Sequence, residues 1–395
     1  MIKSPNADIR ITATSLVSCL GAGRAAHLGA MIDGRSGLAP CDYGDLAFSC
    51  HIGRVAGLED LTFPVTHTAF DNRATRLALA GLEVDGFADA VQTMRARWGA
   101  ARCGVVLGTS TSGVELLEQA YRSRPADQPL PSGYSLRHHN DHQAVTAFLQ
   151  DLLGLEGPSY TISTACSSSA KAIVDAVQLV RAGVCDAVLA GGVDSLCLTS
   201  LNGFEALQLV SRQPCRPCDA ARDGLSIGEG AAFLIVERAE DGASLAGMGE
   251  SSDGINMSTP PEDGAGAAQA MRAALADAGL QPSDIGYVNL HGTATPINDT
   301  AEAAAVSAVM GDEVPVSSLK GAIGHTLGAA GALEAVMCLH AMEEGIVPGN
   351  IGLETLDPQI QCRILARMEH APIRHAITNA FGFGGNNCAL LLSRS

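Results

Sequence analysis

The stretch Gly157-Pro-Ser-Tyr-Thr-Ile-Ser-Thr-Ala-Cys166-Ser-Ser-Ser-Ala170 runs directly into Lys171-Ala-Ile-Val-Asp-Ala-Val-Gln-Leu-Val-Arg-Ala-Gly183. Residues 160–163 are β-prone, and Ile173, Val174, Val177 and Val180 recur at helical spacing before a glycine stop. A strand that turns into a helix through small residues is the building unit of an α/β fold. Cys166 stands in that turn, where free backbone N–H groups and the helix dipole favour negative charge. Such surroundings lower a thiol pKa and make the thiolate available near neutral pH. Ala165, Ser167, Ser168, Ser169 and Ala170 leave room for a substrate to approach. A buried structural cysteine is the other reading of the same local pattern.

The rest of the chain repeats this strand–helix alternation. Strands are expected at 9–15, 103–107, 187–193 and 231–237, with helices at 24–32, 74–81, 88–98, 114–122 and 143–153. Residues 35–75 read as irregular. A second series follows: helix 265–278, strand 285–290, helix 299–309, strand 314–318, helix 329–343 and strands 375–380 and 388–393. Alternation of this kind predicts packed sheets covered by helices, with active groups where strands end and helices begin. A seam near residue 248 divides the chain into halves 1–248 and 249–395.

With 395 residues the chain can bury a large core, and 47% apolar against 17% charged residues makes it globular. A formal net charge of −17, without a Lys/Arg cluster, excludes nucleic acid as the main partner. Lysine is confined to Lys3, Lys171 and Lys320, so a lysine within a motif stands out. The first ten residues lack the apolar core of a secretory signal, and no uncharged apolar window is long enough to span a membrane. Twelve scattered cysteines then fit a reducing, cytoplasmic setting. Cys215 and Cys218, despite redox-like spacing, read as ordinary thiols.

Three further segments share the design of the Cys166 turn. In Tyr287-Val-Asn-Leu-His291-Gly-Thr-Ala-Thr-Pro296 a histidine follows a buried strand. Val316-Ser-Ser-Leu-Lys320-Gly-Ala-Ile-Gly-His325 places a lysine and a histidine before a helix, with Glu334 nine residues beyond His325. Asn379-Ala-Phe-Gly-Phe-Gly-Gly-Asn-Asn387 is a glycine-dense turn whose backbone can approach a ligand closely. Each has a plain structural alternative: a core histidine, a helix cap, a lysine in an ion pair, a simple turn. Together, a thiolate, two imidazoles, an ammonium and an amide-rich turn make a coherent acyl-transfer site.

The order and wording of these segments resemble the β-ketoacyl-acyl-carrier-protein synthases, closest to the elongating type II group. Thr164-Ala-Cys166-Ser-Ser resembles the nucleophile motif, His291-Gly-Thr-Ala-Thr the first histidine motif and Lys320-Gly-Ala-Ile-Gly-His325 the lysine–histidine motif. Gly382-Phe383-Gly-Gly resembles the terminal loop, and the likeness runs from about Ile9 to the C-terminus. It implies a thiolase-like α/β fold of two similar halves in five αβαβα layers, usually dimeric. It implies decarboxylative Claisen condensation with malonyl-acyl-carrier protein in fatty-acid, polyene or polyketide synthesis, with no cofactor and no metal.

By the same resemblance Cys166 holds the acyl chain, and the N–H groups of Cys166 and Phe383 form an oxyanion hole. His291 and His325 bind the malonyl thioester oxygen, and Lys320 paired with Glu334 holds His325. Phe383 is the gatekeeper, with Gly384 beside it. Thr293 and Thr295 suit the carrier's pantetheine arm, and Thr111 stands where an aliphatic residue usually faces the acyl tail. Asn256 replaces a frequent histidine, and the loop Arg137-His-His-Asn-Asp-His142 is unusual for the family. That loop reads either as a metal site or as a polar pocket- or interface-lining turn. Arg73, Arg76, Arg137 and Arg212 are candidates for docking an acidic carrier protein. A thiolase would place a second catalytic cysteine in the C-terminal half, whereas Cys388 lies in the strand after the terminal loop. The alternatives left open are the catalytic subunit of a heterodimer with a chain-length factor and a non-catalytic partner of an active synthase.

Overall fold

The computed structural model describes residues 9–125 and 127–394; Lys3 lies outside them. The first half contributes β1 (Ile9–Ser18), β2 (Gly21–Ala22), β3 (Cys103–Gly108), β4 (Ser159–Ile162), β5 (Ala187–Asp194) and β6 (Gly230–Arg238). They form one sheet in the order β2-β1-β6-β5-β3-β4. The second half contributes β7 (Ser244–Ser252), β8 (Tyr287–Asn289), β9 (Val316–Ser317), β10 (His375–Gly382) and β11 (Asn386–Ser393), in the order β7-β11-β10-β8-β9.

Strand direction shows that the two sheets share one topology. In the first, β5, β3 and β4 pair in parallel, while β6 is antiparallel to both β5 and β1. In the second, β10, β8 and β9 pair in parallel, while β11 is antiparallel to both β10 and β7. The connecting helices correspond as well. Those of the first half are α1 (Arg73–Leu82), α2 (Phe87–Trp98), α3 (Gln143–Leu153) and α4 (Ser168–Arg181); those of the second are α5 (Ala265–Ala278), α6 (Pro296–Met310) and α7 (Ala330–Glu344). The second half opens with β7, so the seam expected at 248/249 falls inside a strand. We propose that the division belongs in the loop before Ser244.

Alternation along the strands builds the layers, because successive side chains point to opposite faces. Ala232, Leu234 and Val236 of β6 enter the central core, while Ala231, Phe233 and Ile235 face an outer core with α1, α2 and α3. On β11, Cys388, Leu390 and Leu392 face the centre, and Ala389 and Leu391 face the outer layer of α5 and α6. Each fully buried Leu, Val or Phe contributes about 1.5–3 kcal/mol. Helices α4 and α7 lie together between the sheets. Helix α7 is buried on all sides from Ala330 to Met342, which explains why its apolar residues show no single stripe. A Cβ on Gly331 would lie 2.7 Å from the Ala170 Cβ, so the close crossing of α7 on α4 requires glycine there. The five-layer duplicated arrangement is therefore present, and it sets Cys166 and His325 just ahead of corresponding central helices.

Two of the longer elements escape the sequence pattern. Strand β7 reads Ser-Leu-Ala-Gly-Met-Gly-Glu-Ser-Ser, and its glycines hide the alternation. A Cβ on Gly247 would fall 2.1 Å from the Ala274 carbonyl and one on Gly249 within 1.9 Å of the Ala270 carbonyl, because α5 lies directly on this strand. The helix Leu198–Ala206 buries only Leu198 and Leu201 and so carries little apolar periodicity.

Candidate active site

Cys166 is buried in the turn between β4 and α4. Ala165 before it takes a left-handed backbone (φ +53), a conformation costly for a non-glycine residue and common at functional turns. Ala294, in the His291 loop, and Leu327, two residues after His325, are held the same way at φ +66 and +50. The terminal loop closes directly over the nucleophile turn: a Cβ on Gly382 would lie 2.7 Å from the Thr164 carbonyl oxygen. The backbone N–H groups of Phe383 and of Cys166 itself are directed at the Cys166 sulfur.

His325 Nε2 lies 3.0 Å from Cys166 Sγ, and the Leu327 N–H donates to His325 Nδ1 at 3.2 Å. An Nδ1 that accepts a hydrogen bond carries no proton, so the neutral ring keeps its proton on Nε2. His291 is arranged alike. Lys320 Nζ, a donor only, is 3.4 Å from its Nδ1, which leaves the ring proton on Nε2. The two rings meet edge to face at 5.2 Å. Burial pushes both imidazoles well below their ordinary range, with Lys320 acting in the same direction, so both rings are neutral at working pH.

Lys320 is fully buried and donates to Glu334 Oε1 at 2.5 Å, while Asn289 donates to Glu334 Oε2 at 3.2 Å. The expected Lys320–Glu334 pair is thus present, but the imidazole Lys320 touches is His291; His325 is oriented by Leu327. The Cys166 thiol also departs from the sequence expectation. Burial pushes it up to about 11, against the pull of Lys320 and of the Phe383 and Cys166 N–H groups. Desolvation outweighs the turn and helix terms that the sequence argument counted.

Three groups went unnoticed in the sequence. Glu302 on α6 accepts the N–H groups of His291 and Gly292, each at 2.8 Å, and the Asn379 amide at 3.1 Å. It fixes the histidine loop, and burial raises its carboxyl to about 7. Its signal was visible: Asp299 and Glu302 are acids three residues apart on a helix beginning at Pro296, and Asp299 accepts the Ala294 N–H at 3.1 Å. Asp194 at the end of β5 accepts from Thr109 Oγ1 at 2.7 Å, the N–H and hydroxyl of Thr111 at 2.8 and 2.7 Å, and the Gly328 N–H at 2.5 Å. One carboxylate thereby ties the loop after β3 to the loop after His325. The third is Phe204, whose ring lies 5.6 Å from that of Phe383.

A cavity of about 250 Å³ leads to this cluster, lined by Cys166, His291, His325, Thr293, Thr295 and Phe383 among others. Thr111 and Gly384 are outside that lining. Thr111 is buried and its hydroxyl donates to Asp194 at 2.7 Å. Gly384 is exposed, with its N–H donating to the Met257 carbonyl at 2.7 Å. The histidine loop is a π-helical turn, Leu136–Asn140, with His138 against Ser135 and Phe70 and His139 against Tyr134. Among the described residues the grouping within metal-binding reach is instead Cys166, His291 and His325, whose ligand atoms lie within 4.8 Å of one another. A metal-bound histidine normally donates its second N–H outward. Here both Nδ1 atoms receive a donor and both Nε2–H groups are committed to the cluster, which suits an anion and not a cation.

Of the candidate docking arginines, Arg73 is held by Glu229 and Glu59, Arg76 by Asp71, and Arg212 by Glu205. Arg137 is exposed. Cys215 Sγ donates to the Lys320 carbonyl at 3.3 Å, and all twelve cysteines are free thiols. Among the described residues no helix is long and apolar enough to cross a membrane.

A duplicated five-layer α/β fold with cysteine, two neutral histidines and a buried Lys–Glu pair converging at its centre defines a thiolase-like condensing enzyme. Comparison with known proteins gives the family. Residues 52–242 match the β-ketoacyl synthase N-terminal domain and residues 242–354 the β-ketoacyl synthase C-terminal domain. The chain belongs to the β-ketoacyl synthase family and is an acyltransferase of fatty-acid or polyketide condensation. It is 36% identical over 327 residues to 3-oxoacyl-[acyl-carrier-protein] synthase 2 of Rhizobium meliloti (strain 1021), covering 74% of each chain. It is 35% identical over 303 residues to nodulation protein E of Rhizobium leguminosarum bv. trifolii, covering 74% of this chain and 75% of that one. Among solved structures, a ketosynthase in complex with its chain length factor from Xenorhabdus doucetiae superposes with a TM-score of 0.91. It shares 32% identity and 98% coverage of both chains.

Proposed function

We propose that this chain condenses an acyl group held on Cys166 with a malonyl group carried by an acyl carrier protein. Cys166 gives up its proton to solvent and the thiolate attacks the acyl thioester carbonyl. The tetrahedral oxygen is held by the Cys166 and Phe383 N–H groups, and the carrier sulfur leaves and takes up a proton from solvent as the thiol. Malonyl-carrier protein follows. Its carboxylate departs as CO2 and the bonding pair moves into an enolate, whose oxygen accepts from the Nε2–H groups of His291 and His325. The enolate carbon attacks the acyl-Cys166 carbonyl, the same N–H pair holds the oxygen again, and the cysteine is expelled. The product is a β-ketoacyl-carrier protein.

The observation that carries this reading is the tautomer assignment. Leu327 and Lys320 each supply a donor to an Nδ1, so the site presents two Nε2–H donors beside the sulfur. Two neutral donors stabilise a developing enolate; neither ring, already protonated at Nε2, is set to take a proton from the thiol. Lys320 and Glu334 position His291. Phe383 gates the cavity with Phe204 against it, and Thr293 and Thr295, hydrogen-bonded to each other at 2.9 Å, line the approach for the pantetheine arm.

The complete set of Cys166, His291 and His325 makes this chain a catalytic subunit, either as a homodimer or beside a chain-length factor. The Xenorhabdus doucetiae ketosynthase, with its chain length factor, supports the second assembly. A cytoplasmic setting fits twelve free thiols. The test is incubation with acyl- and malonyl-carrier proteins. Release of CO2 with formation of a β-ketoacyl-carrier protein is expected, and transacylation without carbon–carbon bond formation would overturn the assignment.

A further inference from the structure

We infer that the carrier protein docks on an apolar rim at the cavity mouth, formed by Ile255, Met257 and Ile297, in place of a basic patch. The inference rests on the carrier-dependent function proposed above. Met257 and Ile297 both line the cavity yet are 78% and 53% exposed, and Ile255 is 73% exposed. They come from two separate segments, the loop 253–262 and the first turn of α6, that meet at one cavity. Large aliphatic side chains this exposed around a site mark a surface that a partner covers. An arm that ends at Cys166 enters through this cavity, so the protein that bears the arm lies over its rim.

The rim is built in place. Asn256 Oδ1 accepts the Ser258 and Thr259 N–H groups at 2.9 and 3.2 Å, and the Met257 carbonyl accepts the Gly384 N–H at 2.7 Å. Met257 is thus fastened to the gate loop, where a seated carrier can press on it.

Charge argues against the alternative. Among the described residues lining the cavity there is no lysine or arginine, whereas Asp253 and Glu302 both line it. Arg222 reaches the Pro296 carbonyl but is buried and paired with Asp357, and Arg212 is paired with Glu205. An acidic carrier therefore meets a chain of net charge −17 in which Arg222 and Arg212 are each held by a carboxylate. Burial of apolar area is the contact the rim itself offers.

The experiment uses the full chain with holo-carrier substrates and, as the arm alone, N-acetylcysteamine thioesters of the same acyl and malonyl groups. Met257→Asp with Ile297→Asp is expected to lower the ratio of kcat/KM for carrier-bound over N-acetylcysteamine malonyl substrate about tenfold or more, through KM. Raising salt from about 0.05 to about 0.5 M is expected to change the wild-type Kd for holo-carrier less than about threefold, since screening acts on charge and not on apolar contact. An unchanged ratio in the double variant, or a tenfold salt effect with the same loss in Arg137→Glu, would overturn the inference. A wild type that turns over both substrate forms, with the ratio unchanged in the double variant, keeps the condensing function and removes only the docking surface. A wild type inert toward both substrate forms contradicts the function itself.

Discussion

His325 donates Nε2–H toward Cys166 Sγ across 3.0 Å because the Leu327 N–H already occupies its Nδ1. The relation makes His325 a donor to whatever anion forms beside the sulfur, first the thiolate and later the enolate. His325→Ala is expected to leave acyl-Cys166 formation measurable while slowing condensation by about 10²–10³-fold, the usual cost of one such donor. His291→Ala should behave similarly. Single-turnover acylation and CO2 release, measured separately, check both variants; full-rate condensation in either would remove its role.

Lys320 and Glu334 form a fully buried pair, and breaking one side leaves an uncompensated charge. Lys320→Ala is expected to cost about 3–5 kcal/mol of stability. Lys320→Met combined with Glu334→Leu should recover most of that loss, yet not the condensation rate, because His291 Nδ1 then loses its donor. Urea midpoints beside turnover rates separate the effects. Recovery of activity in the double variant would make the pair purely structural.

Asp194 accepts from both the Thr109–Thr111 loop and Gly328. Asp194→Ala strands several buried donors and is expected to destabilise the fold by about 3 kcal/mol or more. Differential scanning calorimetry checks this, and a melting temperature close to the wild type would contradict it.

The Cys166 thiol, pushed up to about 11 by burial, holds its proton through neutral pH. Alkylation of Cys166 by iodoacetamide is expected to rise about tenfold per pH unit from 7 to 10, following the thiolate fraction. A plateau near pH 6 would show a preformed thiolate instead. The same shift has a stability consequence. Cys19, Cys50, Cys197 and Cys362 are raised to about 12 and Cys103 and Cys215 to about 11, against 9.0 ordinarily. A folded state that keeps protons the unfolded chain has lost is favoured below about pH 9 and loses that advantage as pH rises toward 11 to 12. The urea midpoint should therefore fall between pH 8.5 and 10.5, roughly, and a flat profile would contradict the burial of these thiols.

Much of this was legible in the residues. The strand–turn–helix at Cys166, the two histidine segments and Lys320 sit where pattern and motif placed them, because short buried strands and small-residue turns leave strong local marks. What stayed hidden depends on pairings distant in sequence. Strand β7 is masked by the glycines that let α5 sit on it, and Glu302 and Asp194 act through backbone N–H groups that no side-chain pattern displays. The basicity of Cys166 was misjudged because local turn chemistry is readable in sequence while burial is not. The bond from the Thr111 hydroxyl to Asp194 is another such distant pairing, between residues 83 positions apart.

The most direct measurement is intact-protein mass spectrometry of the wild type and Cys166→Ala after exposure to acyl-carrier protein, followed by malonyl-carrier protein. The account predicts an acyl adduct on Cys166 alone, absent from the alanine variant, that discharges with release of CO2 as a β-ketoacyl-carrier protein appears. An adduct on another residue, or condensation by the Cys166→Ala chain, would contradict it.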